Sequence, residues 1–80
     1  MTFNEKGGDM TDTKELKIAL LRSDMTASEL ADAIGISRVS FSYKMNNLRQ
    51  FTVPEISKIA EVLNLSISDK DRIFFAKKVE

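Results

Sequence analysis

The stretch of sequence that decides the fold runs from residue 26 to residue 46 and reads TASELADAIGISRVSFSYKMN. Thr26 and Glu29, three residues apart, make the capping-box pattern that begins a helix. Gly35 then ends this helix, because glycine readily takes the left-handed conformation found just past many helices. Ser37 offers an N-cap to a second helix. The stretch therefore predicts two short helices joined by a tight turn, at Ala27–Ile34 and Arg38–Met45.

The side chains of these two helices predict how they pack and what they leave exposed. Ala31 is small, which lets the helices cross closely, and the residues predicted to face inward are Leu30, Ile34, Ile36 and Phe41. The second helix leaves a different set facing outward: Arg38, Val39, Ser42, Tyr43 and Asn46. This set combines hydrogen-bond donors, acceptors and an apolar contact, which is what reading base edges in the major groove requires.

Three further helices are predicted outside this stretch, each from a capping residue followed by apolar residues at helical spacing. The first covers about Thr13–Arg22. The fourth begins after Thr52 and ends at Asn64, and Ser66 or Ser68 begins the fifth. No strand-like alternation is present. The predicted fold is therefore all-α, a compact bundle of about five short helices.

The N-terminal residues are predicted to lie outside this bundle. Residues 1–10 are polar and show no periodicity, so we expect a disordered arm, followed by a single domain at residues 11–80. The run at 6–10, Lys-Gly-Gly-Asp-Met, can be encoded by a purine-rich stretch that resembles a bacterial ribosome-binding site. Residues 1–9 are then either a translated leader before a natural start at Met10 or an arm able to reach DNA.

Composition excludes several classes of function. Apolar residues make up 42% of the 80 residues and charged residues 30%, which is typical of a globular domain. There is no Cys and no His, so disulfides, the usual soft metal ligands and the commonest general base are all missing. We expect no enzyme and no cofactor, since Asp69 and Asp71 are explained by a helix first turn. No apolar run approaches the roughly 18 residues of a membrane span, and no signal peptide is visible, so we expect a cytoplasmic protein.

The charge distribution is more informative than the total. The formal net charge is zero, which counts mildly against nucleic acid as a partner. Between Asp32 and Glu55, however, the sequence has no acidic residue, and three basic residues fall in that window: Arg38, Lys44 and Arg49. The window is either a local positive face or a charge-poor buried segment.

The run ELADAIGIS at residues 29–37 and the run PEISKIAEVLNLS at residues 54–66 resemble the lambda repressor and Cro-type helix-turn-helix family. The resemblance covers roughly Leu16 to Ile73. This family occurs in phages, prophages and bacterial regulators. The resemblance implies a DNA-binding transcriptional regulator, most often a repressor, that binds a palindromic duplex site as a homodimer.

The same resemblance implies that the helix at residues 37–46 lies in the major groove with its N-terminal residues at base edges. Carried over by position, the implied DNA-contacting residues are Thr26, Ala27, Ser37, Arg38, Val39, Ser42, Tyr43, Lys44, Asn46, Asn47 and Arg49.

These residues have different implied roles. Arg38 bonds a guanine or clamps a phosphate, Val39 contacts a thymine methyl group, and Ser42 reads several bases. Tyr43 and Lys44 contact the DNA backbone, which positions the protein without specifying sequence. The start of the preceding helix offers free N–H groups to a phosphate, and the polar residues after the reading helix hold the next phosphates.

Two positions depart from the family pattern. Many members carry Gln where this chain has Ala27, and that Gln braces a phosphate contact. Many also carry an aliphatic residue where this chain has Lys44, and Met45 is the neighbour able to fill the gap.

A second class of function fits the same fold. A helical protein-interaction module, such as an antirepressor or adaptor that binds another regulatory protein, would explain the zero net charge, the missing Gln and the exposed Val39 and Tyr43. Duplex binding weakens steeply with salt through counterion release, whereas an apolar protein contact does not, so salt dependence separates the two.

Overall fold

The computed structural model describes residues 9–77, and its helices follow the predicted order. They are α1 (Thr13–Arg22), α2 (Ala27–Ile34), α3 (Arg38–Met45), α4 (Val53–Val62) and α5 (Ile67–Phe74). The predicted bounds of the first three are confirmed, and so is the all-α helical bundle. None of the helices in this described part of the chain is long and apolar enough to cross a membrane.

Each helix begins at a side chain that accepts a hydrogen bond from a backbone N–H of the first turn. These N-caps are Asp12, Thr26, Ser37, Thr52 and Ser66. Ser66, not Ser68, therefore begins α5, and its capping box is completed by Asp69. Because a cap stabilises a protein by about 0.5–2 kcal/mol, these local contacts explain why short helices start where the sequence predicts.

One side chain from each helix meets at the centre of the core. The most deeply buried large residues are Leu16, Leu30, Phe41, Ile59 and Ile73, all below 2% exposure. The side chain of Met45 joins them from the last turn of α3. A core with a contribution from every helix fixes the angles between all five, including the orientation of α3.

Three aromatic rings link α3 to the other end of the chain. The ring of Phe51 meets that of Phe41 edge-to-face at 5.7 Å between centroids, and that of Phe74 at 5.4 Å. Such pairs contribute about 0.5–1.5 kcal/mol beyond the area that they bury. The next residue, Phe75, caps the end of α5 and is 39% exposed, because adjacent residues at a helix end do not share one face.

Beside the helices, the described residues form one short strand pair that no alternating pattern in the sequence indicates. Asp9–Met10, at the end of the segment expected to be an arm, forms a strand, β1, that pairs antiparallel with β2 (Ala76–Lys77). The Asp12 N–H donates to the Ile73 carbonyl oxygen at 2.6 Å and brings the two segments together. Two residues are too few for an alternating pattern, so the pairing depends on tertiary contacts. The prediction for residues 1–8 lies outside the described residues.

Gly35 provides a direct test of the turn between α2 and α3. Its φ is +83°, and a Cβ built there would meet nothing within 4 Å, so only backbone conformation restricts the position. We expect Gly35→Ala to lower the free energy of unfolding by about 1–2 kcal/mol, the cost of a left-handed L-residue. Gly35→Asn should cost less, since Asn47 and Asn64 already adopt positive φ in this chain. Urea denaturation measures both, and equal stability of Gly35→Ala and the wild type would contradict this explanation.

Candidate nucleic-acid interface

The turn that joins α2 to α3 is held by backbone hydrogen bonds. The N–H groups of Gly35 and Ile36 both donate to the Ala31 carbonyl oxygen, at 3.0 and 3.1 Å. Ala31 itself is buried, which confirms that its small side chain lies where the two helices pack. Since α3 begins directly after this turn at Ser37, the position of its N-terminal end is fixed by α2.

The first turns of α3 form an exposed face. Arg38 and Ser42 are exposed, and Val39 is 63% exposed although it is apolar. Ser37 caps the helix through Ser40 N–H at 3.0 Å, which confirms its predicted capping role. The structure therefore brings together a guanidinium, a hydroxyl and an apolar side chain on one surface, as the sequence predicted.

The face continues into the loop after α3. The guanidinium of Arg49 lies over the ring of Tyr43, 5.6 Å from its centroid, and Tyr43 is 42% exposed. Tyr43 is therefore exposed and lies beside a basic residue on the same surface. The Asn46 side-chain amide donates to the Ser42 carbonyl oxygen at 2.9 Å and stays exposed. These residues extend the exposed surface beyond the N-terminal turns of α3.

The sequence predicted a Lys44 side chain that contacts DNA, whereas the structure directs it toward α4. Its ammonium Nζ lies 2.8 Å from both carboxylate oxygens of Glu55 on α4, and its side chain is only 12% exposed. Met45 beside it is buried in the core and fills the gap left by the absent aliphatic residue. In this structure Lys44 is thus a link between α3 and α4, and its charge is already paired.

Asn47, which was expected to contact a phosphate, makes hydrogen bonds to another part of the chain. Its side-chain oxygen accepts from the Thr11 N–H, and its Nδ2 donates to the Thr11 carbonyl oxygen, both at 2.9 Å. Next to this pair, the Thr13 hydroxyl donates to the Met45 carbonyl oxygen at 2.7 Å. The end of α3 is therefore tied to the segment that leads into α1.

The N-terminus of α2 is occupied in part by the chain itself. Thr26 N–H donates to Glu29 Oε1 at 2.9 Å, and Glu29 N–H donates to the Thr26 hydroxyl at 3.1 Å. Helix geometry leaves the N–H groups of Ala27 and Ser28 without an intrahelical acceptor. A phosphate bound there would share the helix end with the carboxylate of Glu29.

A family comparison decides what this arrangement of helices is. The family model for the helix-turn-helix domain matches residues 16–70, from the first core residue of α1 into α5. The chain belongs to the lambda repressor-like helix-turn-helix family. Its members are DNA-binding regulators of transcription. Comparisons with curated proteins and with solved structures return no match.

Membership assigns α2 and α3 as the helix-turn-helix unit, and the capping box at Thr26 then takes on a particular meaning. This protein has Ala27 where many helix-turn-helix proteins carry the Gln that braces a phosphate. At that end the structure places backbone N–H groups beside the carboxylate of Glu29. That carboxylate already occupies the end of the helix that favours negative charge.

The Lys44–Glu55 pair makes the stability of the helix-turn-helix unit depend on pH. Partial burial opposes ionisation of Glu55, but hydrogen bonds from Lys44 and from the Thr52 backbone outweigh it and hold the pKa of the carboxyl below its usual value of 4.5. A carboxyl whose pKa is lower in the folded than in the unfolded protein contributes stability above the unfolded pKa. That contribution is lost as the pH falls through the folded pKa.

We therefore expect the free energy of unfolding to fall as the pH drops below about 4.5, and to fall less steeply in Glu55→Gln. The Gln variant retains part of the slope, because the Arg72 hydrogen bond also lowers the pKa of Asp69. Glu61→Gln is the matched control, since Glu61 is exposed on the same helix. Denaturation at a series of pH values measures this, and identical slopes for Glu55→Gln and the wild type would contradict it.

Proposed function

We propose that this protein is a sequence-specific double-stranded DNA-binding regulator, a repressor, that places α3 in the major groove. The single observation that carries the proposal is the exposed N-terminal half of α3, supported from behind by a core that includes every helix. A reading helix must present its side chains at a fixed angle, and the capped α3, joined to α2 through the Gly35 turn, meets that requirement.

Within this proposal the exposed side chains divide into base readers and backbone contacts. Arg38 reads a guanine or clamps a phosphate, Val39 packs on a thymine methyl group, and Ser42 accepts or donates at a base edge. Tyr43 and Arg49 lie together farther along the surface and contact the DNA backbone. Ser37, Asn46 and the start of α2 add phosphate contacts through their polar groups.

A single α3 reads only a short half-site, so we propose that two protomers bind one palindromic site. Two-fold related helices enter successive major grooves when the half-site centres lie about one helical turn, ~10 bp, apart. Occupation of such a site within a promoter represses transcription without any cofactor.

One set of observations favours the alternative, a protein-interaction module. Val39, Leu48 and Val53 are all exposed apolar residues, and the chain has no net charge. A surface that combines these residues would suit an apolar partner, such as another regulatory protein, better than a polyanion.

Salt titration separates the two functions. Binding of the protein to a fluorescently labelled duplex is measured by anisotropy over a salt series, and the stoichiometry is measured on a palindromic duplex. Under our proposal the logarithm of the association constant falls linearly with the logarithm of salt, by about 0.9 for each phosphate contacted, and two protomers bind per site. No duplex binding even at low salt would contradict the proposal and favour the interaction module.

A further inference from the structure

We propose that Glu55 is a specificity-determining residue, which withholds Lys44 from DNA phosphates and positions the last turn of α3. This inference rests on the proposed function, because it concerns how the same surface distinguishes its site from other DNA. From the sequence alone, Lys44 was expected to contact the DNA backbone, and Glu55 only marked the end of the window without acidic residues.

The carboxylate of Glu55 is held in place by hydrogen bonds that do not involve Lys44. Glu55 Oε1 accepts from the Thr52 N–H at 2.9 Å, and Glu55 N–H donates to the Thr52 hydroxyl at 3.3 Å. Both carboxylate oxygens then lie 2.8 Å from the Lys44 ammonium. Because the carboxylate is held at the start of α4, the ion pair holds the last turn of α3 to α4.

The pair lies at the edge of the protein and is partly shielded from water. The side chains of Lys44 and Glu55 are 12% and 16% exposed. The attraction between two charges with so little solvent contact is screened less than in a fully exposed pair, which is worth only about 0–1 kcal/mol. A DNA phosphate must compete with Glu55 for the ammonium of Lys44. If the phosphate binds the ammonium, the partly buried carboxylate of Glu55 loses its ion-pair partner.

The other side of the same turn is held as well. The Thr13 hydroxyl donates to the Met45 carbonyl oxygen, and the Asn47 amide pairs with the Thr11 backbone. The C-terminal end of α3 is therefore fixed to α1 on one side and to α4 on the other. The exposed N-terminal end, with Arg38 and Val39, keeps its orientation because the opposite end cannot rotate.

The electrostatic consequence concerns nonspecific binding. A free lysine attracts phosphate regardless of base sequence, so it strengthens binding to all DNA alike. Of the three basic residues in α3 and the loop after it, pairing of Lys44 leaves Arg38 and Arg49 for DNA. An equal gain on all DNA leaves the ratio of specific to nonspecific affinity unchanged. That ratio depends on the fixed orientation of Arg38 and Val39, which the Lys44–Glu55 pair helps to maintain.

The test compares three variants with the wild type: Lys44→Gln, Glu55→Gln and the double variant. Glutamine also completes a capping box, so Glu55→Gln removes the charge while it preserves the start of α4. Circular dichroism confirms folding of each variant. Affinities for a random-sequence duplex and for a duplex carrying the site selected by the wild type are measured over a salt series.

We expect Lys44→Gln to keep the wild-type salt slope, because its charge is not used on DNA. Glu55→Gln should steepen the slope by about 0.9 per protomer through one new phosphate contact. It should bind random duplex several-fold more tightly and lower the specific-to-nonspecific ratio. The double variant should return to the wild-type slope, which shows that the released Lys44 is responsible.

Three results would overturn the inference. A slope about 0.9 shallower in Lys44→Gln would show that Lys44 already contacts a phosphate. An unchanged slope in folded Glu55→Gln would show that Glu55 does not withhold the charge of Lys44. If Glu55→Gln does not fold, the salt slope of Lys44→Gln is the test of the inference. Absence of duplex binding by the wild type would remove the proposed function itself and this inference with it, whereas the first two results leave the proposed function intact.

Discussion

Phe41→Ala is expected to destabilise the protein by about 3–5 kcal/mol, since a buried aromatic side chain is replaced by a cavity. Phe41 is 1% exposed and lies at the centre of the core, with its ring against Phe51. A domain of this size has a stability of only about 5–15 kcal/mol. The variant should therefore be largely unfolded at moderate temperature, and it should lose DNA binding as a result.

Thermal and urea denaturation followed by circular dichroism measure the effect. Val39→Ala is the matched control because Val39 lies on the same helix but is exposed, so its truncation should change stability by less than about 0.5 kcal/mol. Phe41→Leu should fall between the two, since it keeps most of the buried volume. A loss below about 1 kcal/mol for Phe41→Ala would contradict a core centred on this ring.

Arg38→Ala is expected to weaken binding to the recognised duplex by roughly tenfold to a hundredfold. This factor corresponds to the loss of about 1–3 kcal/mol from one bidentate contact with a guanine. Arg38 is the guanidinium on the exposed N-terminal turn of α3, and its loss leaves the fold intact because its side chain is exposed. Preference between bases should relax at the position that Arg38 reads, while the other positions remain selected.

Lys58→Ala provides the control for charge alone. Lys58 is exposed on α4, outside the helix-turn-helix unit, and its removal changes the net charge by the same amount. We expect it to lower affinity only slightly and equally for all duplexes. Equal losses in Arg38→Ala and Lys58→Ala, without a change in base preference, would contradict base reading by Arg38.

The features that could be predicted from the sequence are those encoded within a few residues of each other. Helix starts follow from an N-cap and the residue three positions later, as at Thr26 and Glu29, and the end of α2 follows from Gly35. The exposed face of α3 follows from helical spacing once Phe41 is assigned to the core. These signals need no knowledge of tertiary packing, so they place the bundle and most of the reading surface.

The features that could not be predicted join residues far apart in the chain. Asn47 was expected to contact DNA, and its side chain pairs with the backbone of Thr11, 36 residues earlier in the chain. Lys44 and Glu55 each have an ordinary local explanation, and only the packing of α3 and α4 brings them together. The two-residue strands likewise form because α5 returns the chain to its beginning. Tertiary contacts of this kind pair two of the predicted DNA-contacting side chains with other parts of the protein.

The contacts of Lys44 and Glu29 within the protein fit its zero net charge. A protein that pairs Lys44 internally and places the carboxylate of Glu29 at the start of α2 offers less positive charge to DNA phosphates. We expect such a protein to bind random DNA weakly and to depend on base contacts and on two-fold symmetry for its affinity.

The central claim, that α3 reads DNA sequence, is tested most directly by selection from a pool of random duplexes. The purified protein is mixed with the pool at low and at moderate salt, and the bound duplexes are recovered and sequenced. Our account predicts enrichment of a palindromic motif whose half-site centres lie about one helical turn apart, with loss of that motif in Arg38→Ala. No enriched motif at either salt concentration, from protein shown to be folded, would contradict it.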